Sequence, residues 1–276
     1  MPPRQHRATE FNPNGLPMRI AASYSRDIAA SLARAWENVR DWEHLPWLHA
    51  DSFSACRLDD EGDWGWRAVT RGTGAAANQE TVIELAIDAG NLRYVSRTLE
   101  GPLPGVEIWT RFTELEPRKT RVDVEFHLPH LAQEQAAKAG KGLIRLYTKL
   151  WDEDEAMMIA RQQALDRRGQ VARDPVPLGP LDALRRTLPL TLDIDGMTLR
   201  IIGLRGTLHA YPARCPHMMA PLDQVVPDAD GCITCPWHGY RFDVATGLSS
   251  DGRGLSLGAM PRIDIDEENH ATLIWP

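Results

Sequence analysis

"ARCPHMMAPL" (213–222) and "ITCPWHGYRFDVATG" (233–247) decide how this chain is read. Each stretch offers one thiol and one imidazole, Cys215 with His217 and Cys235 with His238, and seventeen residues lie between the two sets. Two cysteines and two histidines can hold zinc, but zinc-binding loops ordinarily place Cys with Cys and His with His. Here each loop is mixed, Cys-x-His and then Cys-x-x-His. Two mixed loops can give one iron two thiolates and another iron two imidazoles, the ligand set of a Rieske [2Fe–2S] centre. Neutral imidazole in place of thiolate reduces the negative charge of such a cluster and raises its potential. Cys232 forms a C-x-x-C with Cys235, yet a zinc site built on it leaves His217 and His238 unexplained. Cys232 and Cys56 therefore read as small buried hydrophobes.

The chain has 276 residues, enough for one or two domains with a sizeable core. Hydrophobic residues make up 43% and charged residues 25%, ordinary values for a globular protein. The net charge is −7 and no block of Lys or Arg stands out, so neither nucleic acid nor an anionic membrane surface is expected as partner. Neither a secretory h-region nor an apolar run of membrane-spanning length is present, and a cytoplasmic location is expected.

Patterning divides the chain in two. Residues 1–17 read as a flexible polar tail. "MRIAASYS" (18–25) reads as a strand, and 26–45 as a helix with Ile28, Leu32, Ala35, Trp36 and Val39 at helical spacing. Pro46 is expected to stop or kink it. From Ser54 to His127, alternating runs such as "QETVIELAID" and "VEIWTRFTELE" predict antiparallel hairpins. One long helix is expected over 142–168. A proline-rich linker (169–182) then separates residues 18–168 from a second domain of short strands, 183–276.

The helix at 26–45 runs into "WENVRDWEHLPWLH" (36–49), an apolar stretch that also carries Asn38, Asp41, His44 and His49. On a straight helix His44 and His49 lie about 140° apart and cannot share an ion; a break at Pro46 lets His49 turn back. Two histidines and a carboxylate form the facial triad of non-haem Fe(II) oxygenases. The long helix offers Asp152, Glu153, Asp154 and Glu155. Its apolar stripe (Leu143, Leu146, Tyr147, Leu150, Trp151, Met157, Met158, Leu165) passes close to Asp154 and leaves Asp152 on the opposite side. An inward acid is costly unless paired or bound to metal, which favours Asp154 over Asp152 as third ligand.

Residues 184–276 resemble the Rieske ferredoxin-like domain. With "ENVRDWEHLPWLH" (37–49) and "DEDEAMMIARQQ" (152–163), the chain resembles Rieske non-haem iron oxygenases of the ring-hydroxylating alpha-subunit type. The resemblance implies an α+β helix-grip (START/SRPBCC-like) domain followed by an all-β Rieske [2Fe–2S] domain. It places Cys215 and Cys235 on one iron, His217 and His238 on the other, and a mononuclear Fe(II) on His44, His49 and Asp154. Asp41 would bridge a Rieske histidine, His238, to His44, with Asn38 behind the ligands. The implied reaction uses O2 and electrons from a separate reductase or ferredoxin, because no flavin or nicotinamide fingerprint is present in these residues. It would hydroxylate, dihydroxylate or demethylate a small apolar, aromatic substrate held between sheet and long helix. Trp64, Trp66, Trp109 and Met158 are candidate cavity walls, and His127 and His130 candidate polar contacts. The family's domain order is inverted here. Its members assemble as rings, so a homo-oligomer, a cyclic trimer, is expected. Two other readings stay open. In one, a metal-free ligand-binding helix-grip domain is fused to a Rieske electron carrier or redox sensor. In the other, the chain is an assembly subunit whose mononuclear site has decayed.

Overall fold

Seven strands carry the N-terminal half: β1 (Met18–Ile28), β2 (Phe53–Gly62), β3 (Gly65–Gly72), β4 (Glu80–Asp88), β5 (Arg93–Glu100), β6 (Glu107–Glu116) and β7 (Lys119–Pro129). In the computed structural model, which describes residues 17–129, 131–167 and 174–276, they form one antiparallel sheet in the order β1-β7-β6-β5-β4-β3-β2. Consecutive hairpins link β2 to β7, and β1 and β2 lie at opposite edges. Between these two strands run α1 (Leu32–Arg40) and α2 (Leu45–Leu48). After β7 comes α3 (Gln133–Asp166), 34 residues and about 51 Å long. The chain divides into two units, Met1–Ile159 and Ala160–Pro276.

Register decides which side chains face the helices. Tyr94 pairs with Thr110, Thr110 with Val124, and Val124 with Tyr24; the alternating neighbours Phe112, Val122 and Phe126 point the same way. That face packs in one hydrophobic core with Trp151 and Met158 of α3 and Ala35 and Val39 of α1. Phe112 meets Trp151 edge-on at 6.2 Å between ring centroids, and Phe126 meets Tyr147 at 4.9 Å. The opposite face carries Arg67, Glu84, Arg97, Glu107, Trp109 and His127, with Arg67 bonded to Glu84 at 2.8 Å and Arg97 to Glu107 at 3.0 Å.

Several expected boundaries move. Residues 26–28, expected in the first helix, extend β1, because Ile28 continues the ladder opposite Thr120. The helix begins after Ser31, whose hydroxyl accepts the Arg34 N–H at 3.3 Å. It ends at Arg40, before Pro46, which instead stands in the first turn of α2, where a missing N–H costs nothing. α3 starts nine residues earlier than position 142 and contains Gly140. A Cβ there would come within 2.4 Å of the Ala21 carbonyl oxygen and 2.9 Å of the Ala22 Cβ, so a helix-unfavourable residue sits where α3 approaches β1 most closely.

The second unit holds three small sheets. β9 (Leu190–Ile194), β10 (Met197–Leu204) and β11 (Thr207–Pro212) form one; β12 (Cys232–Thr234) and β13 (Arg241–Asp243) a hairpin; β14 (Arg262–Ile265), β15 (His270–Ile274) and β8 (Val176–Pro180) the third. Leu199, Ile201, Ala210, Leu273 and Trp275 form its core. Residues 168–173 of the expected linker lie outside the described residues. Its remainder is not structureless: 176–180 is a strand paired with β15, and α4 (Leu181–Thr187) follows with Leu184 buried. Prolines are tolerated in β8 because it is an edge strand.

Candidate metal centres

The end of α1 and both ends of α2 supply the N-terminal cluster. Asn38 lies in the last turn of α1, Asp41 caps it, and His44 and His49 flank α2. Facing them from α3 is Asp154. Ligand atoms of His44, His49 and Asp154 all lie within 4.8 Å of one another, and all three residues are buried. Asp154 Oδ1 is 3.1 Å from His49 Nε2 and 3.5 Å from His44 Nε2, and it accepts the Asn38 amide at 2.9 Å. The two imidazoles stand 5.0 Å apart at 74°.

The four acids on α3 separate cleanly. Asp152 points to solvent and pairs with Arg26 at 2.8 Å; Glu155 pairs with Arg26 and accepts the Ala29 N–H at 2.6 Å. Only Asp154 meets both histidines. Glu153, to which the sequence assigned no role, lies 2.6 Å from His49 Nδ1. On the other histidine, Asp41 Oδ2 is 3.5 Å from Nδ1.

Burial alone drives the His49 pKa down, but Asp154 and Glu153 outweigh it and hold it above the ordinary histidine value. The acids around His49 thus favour positive charge at this point. Two imidazole nitrogens and a carboxylate converge, and each imidazole has a further carboxylate beyond it. That is the donor set of a two-histidine, one-carboxylate metal site, and the residues fit such an ion.

The expected cavity residues lie in different places. Phe112 with Trp151 and Phe126 with Tyr147 pack ring against ring in the layer between sheet and α3. Trp66 and Met158 are part of that core; Trp66 Nε1 donates to the Val39 carbonyl at 2.9 Å, and the residue also borders a cavity of about 380 Å³ with Arg40, Glu61, Gly62 and Gly65. Trp109 and His127 sit on the opposite face by register, Trp109 against Glu107 at 2.9 Å and His127 against Glu125 at 3.1 Å. Trp64 lies by the β2–β3 turn, 5.9 Å from the Arg67 guanidinium. His130 lies outside the described residues.

In the second unit the two mixed loops share one backbone design. The Cys215 N–H donates to the Ala220 carbonyl and the Cys235 N–H to the Tyr240 carbonyl, each five residues on. Four residues on, the Met219 and Gly239 N–H groups return to the carbonyls of Cys215 and Cys235. Both turns need a left-handed residue, met by Gly239 at φ 68° and by Met219 at φ 65°. The His217 and His238 rings lie 4.5 Å apart, and His217 stacks on Tyr240 at 4.5 Å. Cys215 and Cys235 are free, buried and hydrogen-bonded to each other, which holds the Cys235 thiol well below the ordinary range and pushes Cys215 up. Backbone N–H groups of Trp237 and His238 aim at the Cys235 sulfur, and those of His217 and Met218 at Cys215, which suits paired thiolates on a metal cluster. A cavity of about 370 Å³ adjoins the first loop, lined in part by Arg214, Pro216, Met219, Met197 and Leu257.

The profile of the Rieske [2Fe-2S] domain matches residues 174–255, and that of the polyketide cyclase / dehydrase and lipid transport family matches 19–152. Residues 19–152 thus form a START-like domain and residues 174–255 belong to a Rieske domain. Apoptosis-inducing factor 3 of Mus musculus is 26% identical over 167 residues, covering 57% of this chain and 26% of that protein. The chain thus spans about a quarter of that relative's length. A Rieske domain-containing protein of Homo sapiens is 35% identical over 75 residues, 26% of this chain and 48% of its own. Among solved structures, the Zhui aromatase/cyclase of Streptomyces sp. R1128 is 14% identical with TM-score 0.45, covering 52% of this chain and 95% of that one. The ferredoxin of carbazole 1,9a-dioxygenase from Nocardioides aromaticivorans IC177 is 28% identical with TM-score 0.31, covering 36% and 96%. A Rieske domain implies a [2Fe–2S] cluster and partners in electron transfer. Among the described residues, no helix is long and apolar enough to cross a membrane.

Proposed function

We propose that this chain is the oxygenase component of a Rieske-type system, with a mononuclear Fe(II) held by His44, His49 and Asp154. The observation that carries the reading is the convergence of three buried ligand atoms from α2 and α3 within 4.8 Å. A bound ferrous ion would supply the site for O2 activation. Putting one oxygen atom into a C–H bond takes two electrons and two protons and releases the other oxygen as water. The electrons come from a reductase or ferredoxin and pass through the cluster one at a time. Around the site, Asn38 holds the Asp154 carboxylate, and Asp41 faces His44 as the residue through which electrons enter.

The ring contacts between sheet and α3 favour a second reading. There the N-terminal domain binds a small ligand without metal or turnover, and the chain works as an electron carrier or redox sensor. Anaerobic iron quantitation tests the site: three iron atoms per chain in the wild type and two in His44→Ala support it. Two in both leave a cluster carrier alone. Substrate-dependent O2 uptake, lost in Asp41→Asn while both metal centres stay loaded, then separates oxygenase from metal-bearing carrier.

A further inference from the structure

The two histidines of the N-terminal centre are held differently. His49 is the more buried, at 1% exposure, and its Nδ1 lies 2.6 Å from a Glu153 oxygen. His44 Nδ1 has its carboxylate 3.5 Å away, at the outer limit of a hydrogen bond. Glu153 is also braced. The other oxygen of its carboxylate is 3.8 Å from Lys149 Nζ, one helical turn earlier, and the same ammonium bonds Asp51 at 2.8 Å. Asp51 stands two residues after His49, so Lys149 ties the loop that follows His49 to the turn of α3 that carries Asp154. One turn of α3 thus presents a ligand and, beside it, the group that orients another ligand.

We infer that Glu153 is a positioning residue that locks His49 in the tautomer with hydrogen on Nδ1. This deepens the metal-site reading above and rests on it. Glu153 and Asp154 can both only accept, and the shorter contact, 2.6 Å at Nδ1 against 3.1 Å at Nε2, places the proton of a neutral His49 on Nδ1. The bare nitrogen is then Nε2, the atom that faces Asp154 at 3.1 Å. Losing Glu153 lets the proton move to Nε2, which removes a ligand without moving the backbone. Asp41 makes no contact of that length on His44, so metal retention depends on Glu153 more than on Asp41.

The test uses the full cluster-bearing chain, with Fe(II) as probe under anaerobic conditions against a competing chelator. Glu153→Leu is expected to weaken Fe(II) binding by roughly 10–100-fold. Glu153→Gln, whose amide oxygen still accepts from Nδ1, recovers most of that loss, and Asp41→Asn stays within a few-fold of wild type. The cluster absorption spectrum and the unfolding temperature stay unchanged in all three. In metal-free protein at alkaline pH, imidazole ¹⁵N shifts report His49 with hydrogen on Nδ1 in the wild type and a tautomer mixture in Glu153→Leu. Wild-type Fe(II) binding with an unaltered affinity and tautomer in Glu153→Leu overturns the role of Glu153 and leaves the metal site standing. A wild type that takes up no iron beyond the cluster overturns both.

Discussion

Two glycines of α3, one turn-half apart, give opposite expectations for the same substitution. Gly→Ala in a helix interior ordinarily stabilises by about 1 kcal/mol. At Gly142 the nearest atom a Cβ would meet is the flexible end of Arg145, 3.9 Å away, so Gly142→Ala should realise that gain. At Gly140 the new methyl would lie 2.4 Å from the Ala21 oxygen, 2.8 Å from its carbonyl carbon and 2.9 Å from Ala22 Cβ. Reaching ordinary contact at 3.4 Å requires α3 and β1 to part by 3.4 − 2.4 = 1.0 Å. Overpacking against backbone costs about 1–3 kcal/mol, which cancels or exceeds the propensity gain. The two variants should therefore differ by about 1–3 kcal/mol in favour of Gly142→Ala, several degrees in Tm for a domain of this size. Asp154 lies fourteen residues beyond Gly140 on the same helix, about 21 Å away, so Gly140→Ala should also weaken metal retention at the proposed Fe(II) site. Differential scanning calorimetry with iron quantitation reads both. A Gly140→Ala protein as stable as Gly142→Ala refutes the claim that β1 and α3 touch through this glycine.

Trp66→Phe stays aromatic but removes part of the ring system and leaves the buried Val39 carbonyl without its indole donor, so a loss of about 1–3 kcal/mol is expected in denaturant unfolding. Met219→Gly should relieve left-handed strain and slow cluster loss on heating, whereas Gly239→Ala should cost about 1–2 kcal/mol and hasten it; cluster absorbance against temperature compares them. Asp243 is raised by partial burial, but the N–H groups of Thr246 and Ala245 and the Thr246 hydroxyl outweigh this and hold its pKa below 3.8. A folded pKa below the unfolded one stabilises above the unfolded value and is lost as pH falls through the folded value, so its contribution should fade below about pH 4. Asp243→Asn should be less stable at neutral pH and should lose that part of the acid dependence, as unfolding at a series of pH values will show.

Much of this protein was legible before any coordinates. Mixed Cys/His loops have few chemical uses, so a Rieske-type domain could be expected from their spacing, and the alternating runs between β3 and β7 declare hairpins because side chains in a strand alternate with period two. Helical projection likewise turned Asp154 inward, since an acid on an apolar stripe is conspicuous, and the structure places Asp152 on Arg26 instead. What the sequence left undecided depends on partners distant along the chain. The extension of β1 to Ile28, the strand within the proline-rich segment and the early start of α3 are set by pairing and packing against β7, β15 and β1. Trp64, Trp109 and His127 look like cavity walls in one dimension, but strand register and the β2–β3 turn put them elsewhere. Glu153 had no local signal at all: its role exists only because α3 brings it 104 positions along the chain back to His49. Local chemistry named the donors. Only the long-range closure of sheet and helix decided which of them share a site, because a side chain's neighbours across a core are fixed by register and packing rather than by its own surroundings in the chain.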